Sequence, residues 1–262
     1  MKKIKVGIIG GTNGMGRWFA GLLRKEGCTV HVCGRKTALS INDLARLCNV
    51  IVVAVPISAT ADIIKQVGPL LTRDALLMDL TSLKKEPVKL MLANSKAEII
   101  GCHPLFGPQL KDVSGENIIL CTARGKKWLP WLKGMFKKNK LAVWEATPEK
   151  QDKMMAIVQA LNHLNTMSLG MALARTNITL AEINKFSTPI FRTKLDIIGK
   201  VFTESPELYI DIITGNPETV KMLDIYEKAL KNIHDKIKSG SGTKLKKTIE
   251  KAAKKLYGSK NK

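Results

Sequence analysis

The sequence predicts an α/β fold: a doubly wound parallel sheet followed by an all-α half. Three observations lead there. Strand and helix signals alternate through the first 146 residues, a glycine cluster sits at the first strand-to-helix turn, and helical patterns continue without a strand from Thr147 onward. At 262 residues the chain can bury a substantial core, and 45% hydrophobic content excludes general disorder.

Residues 5–10 (KVGIIG) form a short β-branched run, and 17–25 read as a helix closed by Gly27. Strands are expected at 29–33, 50–55 and 76–80, with helices near 41–48, 58–67 and 86–94 between them. Such alternation argues for a parallel sheet covered on both faces. Further strands are expected at 98–102, 117–122 and 142–144, which gives a first domain of 1–146. Thr147-Pro148-Glu149 is a helix start, with threonine as N-cap and proline at the first helical position. An apolar-rich stretch then runs without a breaker to about Arg175, followed by helical patterns at 179–186, 189–203, 206–213 and 217–238. Ser239-Gly240-Ser241-Gly242 interrupts them before a last basic helix. The second domain, 147–262, is therefore expected to be all-helical. Its long apolar helix suits an intersubunit or interdomain core better than a solvated face.

No apolar run approaches the roughly 20 residues of a membrane span, and Met1-Lys2-Lys3 leads directly into a strand, so a soluble cytoplasmic protein is expected. The five cysteines are odd in number and lack a C-x-x-C pair, which argues against a disulfide framework and against a bound metal. The formal charge of +21 invites a nucleic-acid reading. Against it, the lysines are scattered, or gathered at 126–127, 137–140 and 244–262, without the aromatic interleaving of a single-strand platform. A positive field also draws in anionic cofactors and a dicarboxylate substrate.

Gly10, Gly11, Thr12, Asn13, Gly14, Met15 and Gly16 lie between the first strand and first helix, where backbone N–H groups and the helix dipole can hold a pyrophosphate. Asn13 stands where G-x-G-x-x-G-type loops often have glycine; asparagine is the next residue most tolerant of positive φ. This loop at the first βα turn makes the sheet Rossmann-type. The second strand ends in Arg35-Lys36, where an NAD site usually places an acidic residue. Two cations there favour the 2′-phosphate of NADP over NAD, unless they only form a solvated turn.

His103 follows the strand signal at 98–102, at a carboxyl end of the sheet, and Pro104 and Pro108 restrict the backbone around it. A near-neutral imidazole can take a hydroxyl proton as hydride leaves the same carbon, so the pattern points to hydride transfer; a packed loop histidine is the plainer reading. Ser82, in DLTSLK after the fourth strand, is placed to hydrogen-bond the histidine or a substrate hydroxyl, or to cap the next helix. At 100° per residue, Asp152, Gln159, His163, Thr166 and Gly170 fall in one polar stripe that should face a polar cavity. Arg192 and Asp196 are spaced as a surface ion pair, and Lys200 is a candidate carboxylate clamp.

Taken together, GGTNGMG, DLTSLK, GCHPLFGP, the stretch 149–164 (EKQDKMMAIVQALNHL) and SPELYIDIITGNP at 205–217 resemble the prephenate dehydrogenase family, in order across nearly the whole chain. The resemblance implies oxidative decarboxylation of prephenate to 4-hydroxyphenylpyruvate on the route to tyrosine, in a homodimer joined through the helical domain. It makes His103 the catalytic histidine that accepts a hydrogen bond from the ring hydroxyl, and Ser82 the serine that orients this pair. His163 and Thr166 fall on positions that line the family's substrate pocket. Where many relatives have an arginine gripping a substrate carboxylate, this chain has Lys200, which keeps the charge and loses the bidentate fork; Arg192 could take over that contact. Arogenate is the nearest alternative substrate. A deazaflavin-reducing NADP oxidoreductase shares the glycine loop and the basic turn but not the GCHPLFGP block, and a nucleotide-sensing protein that binds nucleic acid would need salt-sensitive duplex binding.

Overall fold

Seven strands form one sheet in the order β2-β1-β3-β4-β5-β6-β7. The structure is a computed structural model and describes residues 3–204 and 206–258; Ser205, which opens the last motif above, and the end of the lysine-rich tail lie outside the described residues. The strands are β1 (Lys5–Ile9), β2 (Thr29–Cys33), β3 (Val50–Val53), β4 (Leu76–Asp79), β5 (Glu98–Pro104), β6 (Asn117–Arg124) and β7 (Ala142–Glu145). β1 to β5 pair in parallel, and β3 and β4 are buried along their whole length, as continuous apolar runs covered on both faces should be.

Helices α1 (Gly14–Lys25), α2 (Ile41–Leu47), α3 (Ile57–Val67) and α4 (Lys85–Asn94) make the crossovers, and α5 (Trp128–Lys138) joins β6 to β7. Two apolar layers result. Phe19, Leu23, Leu132 and Phe136 from α1 and α5 pack on one face with Ile8, Val52 and Met78, while Leu44, Ile64 and Met91 from α2, α3 and α4 pack on the other with Ile51, Leu77 and Ile99.

The sheet is mostly parallel, as expected; the exception is β6, which runs antiparallel to β5. A parallel return requires a crossover of a dozen or more residues, usually a helix, whereas residues 105–116 hold one proline, two glycines and no helix. β6 therefore turns straight back along β5, and β7 follows it in parallel.

After Glu145 the chain is helical. α6 (Pro148–Met155) starts as expected, with the Thr147 hydroxyl accepting from Lys150 N and proline at N1. It continues through a π-helical segment (Ala156–Leu161) into α7 (Asn162–Ala174), then α8 (Leu180–Lys185) and α9 (Pro189–Gly199). A second π-helical segment (Lys200–Glu204) precedes α10 (Pro206–Gly215), and α11 (Thr219–Lys238) and α12 (Gly242–Tyr257) follow. The described chain forms two compact units, Met1–Pro217 and Glu218–Lys262, so α6 to α10 share a unit with the sheet. Among the described residues no helix is long and apolar enough to cross a membrane, and no cluster of three metal-ligating side chains occurs.

Candidate functional site

Backbone hydrogen bonds line up the carboxyl ends of the central strands. Gly10 N donates to Cys33 O, Ala54 N to Ile9 O and Leu80 N to Val53 O, so the loops after β1 to β4 leave the sheet along one edge. This edge includes the point where strand order reverses, between β1 and β3, which is where open α/β sheets bind ligands.

The glycine loop is built for close approach. Gly10 has φ +87°, and a Cβ there would overlap the Ala54 carbonyl oxygen; a Cβ on Gly16 would lie 2.5 Å from Gly10 O. Gly11 is buried against Ile8 and Val32, Met15 packs partly into the core, and Thr12, Asn13 and Gly14 stand exposed at the crest before α1. Asn13 does not use its tolerance of positive φ: it is the extended N-cap of α1 (φ −139°), and the left-handed conformations fall on Gly10 and Gly14. Its side chain caps nothing, which leaves the first N–H groups of α1 open to an anion. Arg35 and Lys36 are exposed in the turn after β2. That turn is closed by Thr37, whose hydroxyl accepts from Gly34 N at 2.8 Å, and an added Cβ on Gly34 would lie 3.1 Å from the Thr12 methyl. The basic turn and the glycine loop are thus neighbours.

The second half of the site is a buried polar cluster where β4 and β5 end. Asp79 forms an ion pair with Lys84, both fully buried, and accepts from the Thr81 hydroxyl at 2.5 Å. Gly101 makes room for it, since a Cβ there would lie 2.8 Å from Lys84 Cδ. His103 lies on the same face of β5 two residues on, 4% exposed, with its Nδ1 2.8 Å from Nε2 of Gln151 on α6. Burial lowers the His103 pKa to about 3, and the Lys84 cation pushes the same way. The imidazole is neutral. The next residue, Asp152, accepts from Lys84 N at 2.6 Å and Lys85 N at 3.1 Å, while Asn216 Nδ2 donates to its carbonyl at 2.8 Å. Burial raises the Asp152 pKa against those backbone hydrogen bonds.

Other expected residues are placed differently. Ser82 is half-buried, and among the described residues no hydrogen bond joins it to His103. The polar stripe does not continue as one face, because the π-helical segment interrupts the 100° advance between Asp152 and His163. Asp152 caps α4; His163 is half-buried with its ring 4.6 Å from that of Tyr209, its pKa lowered by burial; Thr166 is buried and donates to Asn162 O. Gly170 faces no polar cavity, since an added Cβ would strike the Phe202 ring. Arg192 and Asp196 are exposed and form no ion pair with each other, and Lys200 is exposed at the start of the second π-helical segment. Sequence reasoning missed Gln151, whose only signal is its place beside Asp152 in the first turns of α6. Lys84, within DLTSLK, gains its role only from the fold, which buries it against Asp79.

Residues 24–144 match the family model described as prephenate dehydrogenase, nucleotide-binding domain, and 147–251 match prephenate dehydrogenase, dimerization domain. A Methanocaldococcus jannaschii protein named "Probable arogenate/prephenate dehydrogenase" is 33% identical over 270 residues, covering 96% of this chain and 60% of its own length. The T-protein of Haemophilus influenzae is 31% identical over 230 residues, covering 86% and 61%. The chain thus spans about three fifths of the length of these curated relatives. The crystal structure of prephenate dehydrogenase from Aquifex aeolicus with hydroxyphenyl propionate and NAD+ has the same fold, with a TM-score of 0.80 at 21% identity over 97% of this chain and 98% of that one. Synechocystis arogenate dehydrogenase gives 0.74 at 18% identity over 95% and 97%.

Proposed function

The chain belongs to the prephenate dehydrogenase family, and from that premise we propose that it catalyses the oxidative decarboxylation of prephenate to 4-hydroxyphenylpyruvate in tyrosine biosynthesis. Residues 1–146 serve as the nucleotide-binding domain and 147–262 as the helical substrate and dimerisation domain. The observation that carries the reading is His103: a buried, neutral imidazole at the strand edge that also carries a glycine loop fit for a pyrophosphate.

The loop fits a dinucleotide because Gly10 and Gly16 let the loop after β1, the start of α1 and the end of β3 pack at backbone contact, while Gly14 at the start of α1 borders open space. Gly10 to Gly16 and the start of α1 would hold the pyrophosphate, and Arg35 and Lys36, with no acidic residue in their turn, would take a 2′-phosphate, which favours NADP over NAD. The bound nicotinamide supplies a hydride acceptor. His103 accepts a hydrogen bond from the ring hydroxyl, and that bond strengthens as the carbinol carbon loses hydride and the oxygen grows more acidic. Carbon dioxide then leaves, and its bonding pair enters the ring to give the phenol. No net proton is consumed, so a weakly basic imidazole suffices. Ser82, at the end of β4, orients the hydroxyl. His163 and Thr166 line the substrate pocket, with Lys200 or Arg192 on a carboxylate.

Arogenate is the second reading, favoured by the name of the Methanocaldococcus jannaschii relative, which gives it beside prephenate. Dimerisation through the helices accords with the exposure of Ile157, Val158, Met171, Phe186 and Ile190. Rates of NADPH and NADH formation with prephenate and with arogenate, measured in parallel, test substrate and cofactor together. The highest kcat/KM is expected for prephenate with NADP+, and absence of turnover with either substrate would overturn the proposal.

A further inference from the structure

His103 has one side-chain hydrogen-bond partner among the described residues, and sequence reasoning did not supply it. Gln151 is 2% exposed and its amide meets Nδ1 of the imidazole at 2.8 Å. Its place is fixed from both sides. Thr147 and Pro148 set the start of α6, while the next residue, Asp152, is tied through its carboxylate to the first N–H groups at the α4 end and through its carbonyl to Asn216. The backbone that carries Gln151 therefore cannot shift from the ring without breaking buried hydrogen bonds.

A neutral imidazole carries one proton, and whatever holds Nδ1 decides where it sits. Hydrogen-bond acceptance from a substrate hydroxyl requires an unprotonated Nε2, hence a proton on Nδ1 and an acceptor facing it. The structure places the amide nitrogen there, which would put the proton on Nε2 and leave that atom a donor. The two ends of an amide are alike in shape, and a half turn about its last bond brings Oε1 to the same place.

We propose that Gln151 is a positioning residue that presents Oε1 to an Nδ1–H and so holds His103 in the tautomer whose Nε2 accepts from substrate. This rests on the proposed role of His103. Lys84 is the charged group that bears on His103; Asp79 at the end of β4 is paired with Lys84, Asp152 follows Gln151 on α6, and Glu149 on α6 bears on Cys121 of β6. Lys84 bears on His103 directly and opposes imidazolium formation, so a neutral amide, which adds no charge of its own, leaves tautomer choice as its main effect.

The test is a long-range 1H–15N spectrum of the histidine-labelled protein. The chain has four histidines, and the His103 signals are identified by their loss in His103→Asn. A single Nδ1–H tautomer is expected in the native protein and a tautomer mixture in Gln151→Met. In Gln151→Glu, the carboxylate should raise the pH at which His103 protonates by about one unit or more. With prephenate, Gln151→Met should lower kcat about tenfold or more at little cost in KM. An Nε2–H tautomer in the native protein, or an unchanged spectrum and titration in both variants, would overturn the proposal. The spectra need no turnover, so they stand even if prephenate is not the substrate, and the parallel rate assay reports that separately.

Discussion

At the scale of single residues, His103 links chemistry to stability. Its pKa is about 3 in the folded chain against an ordinary value of 6.5, so between those values the unfolded chain holds a proton that the folded chain does not. Stability is therefore expected to fall as pH drops from 6.5 towards 3, with His103 contributing no pH dependence above that window. Asp152, whose pKa burial raises, works in the opposite sense and stays present in both proteins of the comparison. Thermal unfolding from pH 7 to 4 should show a shallower loss of stability in His103→Asn than in the native chain; parallel curves would mean that the imidazole is charged or solvated in the fold. The motif residues near it were legible in part. Gly101-Cys102-His103-Pro104 marked the site because a histidine fixed beside prolines at a strand end is an unusual local pattern, and Gly101 proves to be the residue that leaves room for Lys84. Gln151 was not legible. Nothing in a single sequence says which of two adjacent polar residues on a helix turns toward a strand 48 positions away.

At the scale of elements, strands and helices were read well wherever β-branched runs alternate with breakers. β2 was placed to the residue, and Thr147-Pro148 marked the start of α6 because capping chemistry is local. α5 went unread: Pro130 and Gly134 lie within it, and each argues locally against a helix. The antiparallel turn into β6 depends on what residues 105–116 fail to form, and the two π-helical segments break the 100° periodicity that any sequence pattern assumes. This is why the predicted stripe put Asp152 and His163 on one face. Asp152 instead does the work of a cap on another element. Lys84, at the N-cap position of α4, supplies no side-chain cap, and the Asp152 carboxylate satisfies Lys84 N and Lys85 N from α6. Asp152→Ala leaves two N–H groups without that acceptor and should cost about 2 kcal/mol in urea unfolding, with Asp152→Asn costing less. An unchanged midpoint in the alanine variant would show that these groups find other partners.

At the scale of the whole molecule, the sheet edge gathers what the sequence keeps apart: a glycine loop near residue 10, a basic turn at 35, a buried ion pair at 79 and 84, and a histidine at 103. The net charge of +21 suits the anionic nucleotide and dicarboxylate proposed here, without requiring nucleic acid. Fold class was legible because alternation and the glycine loop are properties of the whole chain. The residues proposed to hold the substrate were less so, since Arg192 and Lys200 remain exposed and no contact in the described residues links them to His103. The central claim is that His103 assists hydride loss from prephenate, and the most direct measurement is steady-state turnover of His103→Asn beside the native chain, with cofactor binding measured separately. The expected result is a fall in kcat of about 10²- to 10⁴-fold with cofactor affinity retained. Turnover within a few-fold of the native rate would contradict the account.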